Sequence, residues 1–154
     1  MKRWYIVLLL AMLLSGCSDD EAYAEQRKWQ AVVVHISDSE HMTKEECNDW
    51  HQARGWDSCG YNFVIEKDGT VYEGRGINAV GAHTKGYNSK YLGICFVSKH
   101  GATEEQLQTF AKLLNQYELI LPIYPHAKFN KHKVCGLEVI EQIKKTIKLE
   151  GSLL

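Results

Sequence analysis

The sequence contains no Cys-x-x-Cys pair and no His-Glu-x-x-His segment, so any metal site must be assembled from residues far apart in the chain. It also lacks a block of like charge. Its 18 Lys and Arg residues are spread along the chain against 19 Asp and Glu, for a formal charge of −1, which excludes the basic patch that nucleic-acid binding requires. There are no internal repeats, and the only two prolines, Pro122 and Pro125, fall outside every segment that reads as helix or strand. The 154 residues have room for one domain with a real core and little more, so one fold must carry the whole function. The apolar run from Trp4 to Leu14 is too short to cross a bilayer as a mature helix.

That run follows Met1, Lys2 and Arg3, and a positive start before a short apolar stretch reads as an export signal. It ends in Leu14, Ser15, Gly16 and Cys17, which resembles the lipobox of bacterial lipoproteins. The resemblance implies removal of residues 1–16, acylation of Cys17 and attachment to a membrane through that N-terminal lipid. Removal takes Lys2 and Arg3 from the 18 basic residues and none of the 19 acidic ones, so the mature chain would carry −3. No Asp directly follows Cys17, which by the same resemblance favours the periplasmic face of the outer membrane. Residues 17–28 are polar and aperiodic, a lipidated tether. The domain is expected over residues 29–150.

Within it, Trp29 to Ser37 (WQAVVVHIS) is rich in β-branched residues and reads as a strand buried on both faces, with His35 at its end. Thr43 with Glu46 forms a capping box opening a helix over Lys44 to Arg54, stopped by Gly55. Tyr61–Lys67 and Thr70–Glu73, joined by Asp68 and Gly69, predict a hairpin. A Gly-rich loop over Gly74–Lys90 precedes another buried strand, Tyr91–Ser98. Thr103 and Gln106 repeat the capping box before an apolar stripe that ends near Tyr117. Glu118–Tyr124 is short and apolar, Pro125–Gly136 is an irregular loop, and Leu137–Leu149 reads as a C-terminal helix. The expected fold class is α/β: a single domain with a central mixed β-sheet flanked by helices.

The stretch GYNFVIEKDGTVYEGRGINAVGAHTKGYNSKYLGICFV, Gly60 to Val97, with VVVHIS before it and a His, Lys and Cys loop after it, resembles peptidoglycan-recognition proteins and the phage lysozymes that are N-acetylmuramoyl-L-alanine amidases. The similarity runs from about Trp29 to Leu149. It implies one catalytic Zn²⁺ held by His35, His126 and Cys135, a donor set that leaves the fourth tetrahedral position open for water. Tyr61 and Lys133 match residues that stabilise negative charge on the reacting carbonyl. His83, Lys85 and Asn88 lie in the loop that borders the substrate groove in relatives, and the implied partner is peptidoglycan or its muropeptides. The chain is expected to act as a monomer.

Three departures from the family pattern stand out. The separation of His126 and Cys135 is one residue longer than usual, which leaves His132 as a rival ligand. Gly136 follows the cysteine where relatives commonly have proline. Cys95 occupies the strand position where another branch places a glutamate base, so the general base stays unassigned. Cys47 and Cys59 flank the first helix, and the sequence does not decide whether they pair. Arg75 is equally open between a turn and a substrate contact. Two other functions stay in view: a lipoprotein that binds peptidoglycan without cutting it, and a structural zinc site closed by a fourth ligand such as His132.

Overall fold

The computed structural model describes residues 26–130 and 134–149; side chains are described as far as Thr146. Cys17, His132 and Lys133 lie outside the described residues. The order of elements is β1 (Ala31–Ile36), α1 (Lys44–Gln52), β2 (Phe63–Ile65), β3 (Val71–Glu73), β4 (Tyr91–Phe96), α2 (Glu104–Gln116), β5 (Ile123–Pro125), a 3₁₀ turn (His126–Lys128) and α3 (Leu137–Leu149). The five strands form one mixed sheet in the order β3-β2-β4-β1-β5. β1 runs parallel to β4 and β5, and β4 parallel to β2, while β3 returns antiparallel to β2. The α/β class with a central mixed sheet and flanking helices is thus observed.

Alternation along the strands decides which residues meet which helices, because successive side chains point to opposite faces. Val32, Val34, Phe63, Ile65, Leu92, Ile94 and Phe96 join Phe110 and Leu113 of α2 and Val139, Ile140 and Ile143 of α3 in the larger core. Val64, Cys95 and Val97 point the other way and pack with Met42, Cys47 and Cys59 beneath α1. His35 is out of phase with Val32 and Val34, so it falls on the α1 side, where its register partner is Cys95.

Both expected capping boxes form. Thr43 Oγ1 accepts from the Glu46 N–H at 3.2 Å and the Glu46 carboxylate accepts from the Thr43 N–H at 2.8 Å; Thr103 and Gln106 do the same for α2. Gln106 is fully buried and also donates to the Ile65 and Val97 carbonyls, which fixes α2 over the sheet. α1 ends at Gln52, two residues before the expected Arg54. One expectation is corrected: proline does enter an element, since Pro125 closes β5. The reason is position, for β5 is an edge strand, where a missing N–H need not cost a ladder bond.

Cys47 and Cys59 are joined in a disulfide with a Cα–Cα distance of 5.2 Å and a sequence separation of 12. It ties α1 to the segment that leads into Tyr61. A closed loop of this length stabilises by about 3 kcal/mol through the entropy removed from the unfolded chain. Replacing both cysteines by serine should therefore lower the unfolding free energy by roughly 2–3 kcal/mol, measured by urea titration of the oxidised wild type and the double variant. An unchanged midpoint would assign the bond no stabilising role.

Candidate metal centre

The sheet brings three distant donors together at the C-terminal end of β1. His35 is 2 % exposed at the end of that strand. The parallel edge strand β5 delivers His126 as the first residue after Pro125, and the two imidazole centroids lie 4.5 Å apart. Cys135 is brought back by a backbone bond from the Ala127 N–H to its carbonyl at 3.1 Å. Its Sγ accepts from the Ile36 N–H at 3.3 Å. The ligand atoms of His35, His126 and Cys135 lie within 4.8 Å of one another, so the structure brings together the three residues that the resemblance implied.

Gly136 explains one departure from the family pattern. Its φ is +82°, and an added Cβ would collide with the Val34 carbonyl. Proline, fixed near −65°, could not make this turn, so glycine is required to carry Cys135 against β1 and start α3.

These donors fit a zinc ion. Two imidazoles and a thiolate are the borderline-soft set that Zn²⁺ prefers, and among the described residues the group holds three donors, the number that leaves a fourth tetrahedral position for another ligand. The second cluster with suitable spacing, Cys47, His51 and Cys59, has both thiols consumed by the disulfide and so offers no thiolate.

Around the trio lies a cavity of about 640 Å³, lined among others by His51, Arg54, Trp56, Tyr61 and Lys99. The Tyr61 ring sits 5.1 Å from that of His35 and 5.3 Å from that of His51. Burial, with Cys95 and Cys135 nearby, holds the Tyr61 hydroxyl well above its ordinary pKa, so it stays a proton donor. Burial likewise holds the Cys95 thiol up. Neutral and enclosed among Met42, Val64 and Val97, Cys95 is packed as a core residue.

His51 is buried, and its Nδ1 accepts from the Gly60 N–H at 2.8 Å. Its pKa is lowered to about 4 by burial and then by Arg54 and Arg75. It therefore stays neutral and carries its proton on Nε2. Sequence reading placed Trp50, His51 and Arg54 on a helix without assigning them to a site. The available signal was the four-residue separation of Trp50 and Arg54, which stacks them along one helical face; nothing local marked His51.

A second cavity of about 430 Å³ is lined by Trp56, His83, Lys85, Asn88 and His126 among others, and shares His83 and His126 with the first. The loop that forms it is pinned by buried Asn62, which donates to the Gly76 and Ala79 carbonyls and accepts from the Gly93 N–H. Asn88 Oδ1 accepts from the N–H groups of His83 at 3.0 Å and Thr84 at 2.7 Å, while Lys85 is exposed. Arg75 donates to the Cys59 and Val80 carbonyls, so its guanidinium braces the loop. Arg54 and Lys99, against the single acid Asp38, line the first cavity and Lys85 the second, an excess of positive charge suited to a ligand that bears carboxylates.

Fold and site together define an α/β domain with a His/His/Cys centre at the carboxyl ends of its parallel strands. The chain belongs to the N-acetylmuramoyl-L-alanine amidase family, whose model matches residues 25–141. It is 35 % identical over 103 residues to the endolysin of Klebsiella phage KP32, covering 60 % of this chain and 68 % of that protein. With the endolysin of Escherichia phage T7 the identity is 40 % over 78 residues, 49 % of this chain and 52 % of the relative, so the match spans about half the length of that relative. Among solved structures, the N-acetylmuramoyl-L-alanine amidase LysC from Clostridium intestinale superposes with a TM-score of 0.68 at 29 % identity, covering 79 % of this chain and 86 % of that one. Peptidoglycan recognition protein LE in complex with tracheal cytotoxin, a monomeric diaminopimelic acid-type peptidoglycan, superposes with a TM-score of 0.69 at 29 % identity over 78 % of this chain and 81 % of that one.

Proposed function

We propose that this protein hydrolyses the amide bond between the lactyl group of N-acetylmuramic acid and the L-alanine of the peptidoglycan stem peptide, with one zinc ion held by His35, His126 and Cys135. The observation that carries the reading is the convergence of those donors in a cavity also lined by Arg54 and Lys99. A zinc ion held by His35, His126 and Cys135 would supply Lewis acidity toward the scissile carbonyl and toward water. The chain's own residues supply the rest. Tyr61, neutral and beside His35, donates a hydrogen bond to the oxygen on which charge develops; the family resemblance assigns Lys133, which lies outside the described residues, the role of adding positive charge to the same step. Trp56 and the loop carrying His83, Lys85 and Asn88 border the groove, and the cations Arg54, Lys85 and Lys99 attract the acidic stem peptide.

The lipid anchor at Cys17 is part of the same proposal. No helix among the described residues is long and apolar enough to cross a membrane, and the attachment proposed is through the acyl group alone. Gln26 and Arg27 dock on the domain through the Tyr117 and Ser89 carbonyls just before β1, at the end opposite His35.

The likeness to a recognition protein bound to a muropeptide keeps binding without cleavage as the competing function. The test is to incubate the purified protein with muropeptides, with and without a chelator, and to follow free stem peptide by mass spectrometry. Release that stops on chelation and returns with zinc is expected. Binding without release, with zinc present, would refute the amidase reading in favour of the binding module.

A further inference from the structure

His83 is built into the molecule more carefully than a groove residue requires. Its imidazole occupies the space that a side chain would fill at two glycines: a Cβ at Gly93 would lie 2.5 Å from its Cγ and 2.7 Å from its Nδ1, and one at Gly81 would lie 2.6 Å from its Cδ2. Gly93 is an interior residue of β4, a position where glycine weakens a strand and marks close approach by another group. Asn88 fixes the backbone at His83 from the other side. The residue is only 9 % exposed.

Both ring nitrogens are committed. Nε2 lies 3.2 Å from the Tyr91 carbonyl oxygen, which can only accept, so Nε2 carries a proton. Nδ1 lies 3.1 Å from His35 Nε2 and 2.9 Å from Thr84 Oγ1. With Nε2 protonated, a neutral His83 has only a lone pair at Nδ1, and the rings meet edge to face at 88°. Facing that lone pair, which the Thr84 hydroxyl shares, His35 is placed to donate its own Nε2 proton, which leaves its Nδ1 lone pair as the ligand atom.

We propose that His83 is a positioning residue for the metal centre: anchored on the Tyr91 carbonyl, it holds His35 in the tautomer that coordinates zinc through Nδ1. A ligating histidine usually gives its other ring N–H to an acceptor that fixes orientation and basicity, and losing that acceptor weakens metal binding by about 10- to 100-fold. Here the acceptor is a second imidazole, and the sequence makes room for it with Gly81 and Gly93.

The inference rests on the zinc site proposed above, and the test separates the two. His83→Leu and His83→Asn are nearly isosteric, and the space freed by the glycines accommodates either, but only Asn has an oxygen near the place of Nδ1. Zinc affinity of the detergent-solubilised full chain is measured by competition with a chromophoric chelator. The Leu variant should bind about 10- to 100-fold more weakly than wild type, and the Asn variant should recover to within about threefold of it. Two-bond ¹H–¹⁵N correlation of the zinc-loaded wild type should show His35 protonated at Nε2 and metal-shifted at Nδ1. If the two variants bind zinc equally, or if His35 coordinates through Nε2, the positioning role is overturned while the zinc site stands. If the wild type takes up no zinc, the site itself is refuted, and this inference with it.

Discussion

Cys135→Ser is expected to abolish turnover, with a fall of at least about 10³-fold, which corresponds to roughly 4 kcal/mol of transition-state stabilisation. The hydroxyl is a far poorer zinc ligand than a thiolate at neutral pH, because it does not ionise there and offers a harder donor. The two imidazoles would be left to hold the ion alone. The fold should survive. Cys135 is only partly buried, serine is smaller than cysteine, and the Ile36 N–H that now meets Sγ can meet Oγ or solvent instead. Far-ultraviolet circular dichroism should thus be unchanged and the thermal midpoint of the metal-free protein nearly so, while zinc content by atomic absorption drops. A variant that kept a tenth or more of wild-type turnover would remove Cys135 from the site and return His132 to consideration.

The parts of this molecule that follow local rules were legible in the chain. Both capping boxes, the strand around His35 and the hairpin at Gly69 are set by residues within a few positions of one another, and the structure has each of them. The His/His/Cys trio was legible only through resemblance, since residues 35, 126 and 135 have no shared local pattern. What stayed hidden depends on tertiary contact. Nothing in the GAHTKGYN segment says that the His83 ring turns inward to His35, because that depends on Gly93, a residue on a different strand. The Cys47–Cys59 bond needed the loop after α1 to bring two Cα atoms within 5.2 Å. Pro125 was read as loop because proline breaks a ladder, and only the strand order shows that Ile123–Pro125 has an open edge.

The second large effect is expected at Tyr61. Tyr61→Phe removes one hydroxyl and keeps the ring that packs against His35 and His51, so the change probes chemistry with little disturbance of packing. A donor aimed at developing negative charge in an enclosed site contributes about 10²- to 10³-fold to kcat when deleted. Burial, with the flanking Cys95 and Cys135, raises the pKa of Tyr61, so the hydroxyl remains a donor across the neutral range and does not add a negative charge to the site. If the bond forms only as charge develops, kcat and kcat/KM should fall together and KM should stay within about twofold, the signature of an interaction made in the transition state. Zinc affinity should be unaffected, which distinguishes this variant from Cys135→Ser. A rise in KM at constant kcat would instead make Tyr61 a ground-state binding residue, and the oxygen it serves would then belong to the bound stem peptide and not to the reacting carbonyl.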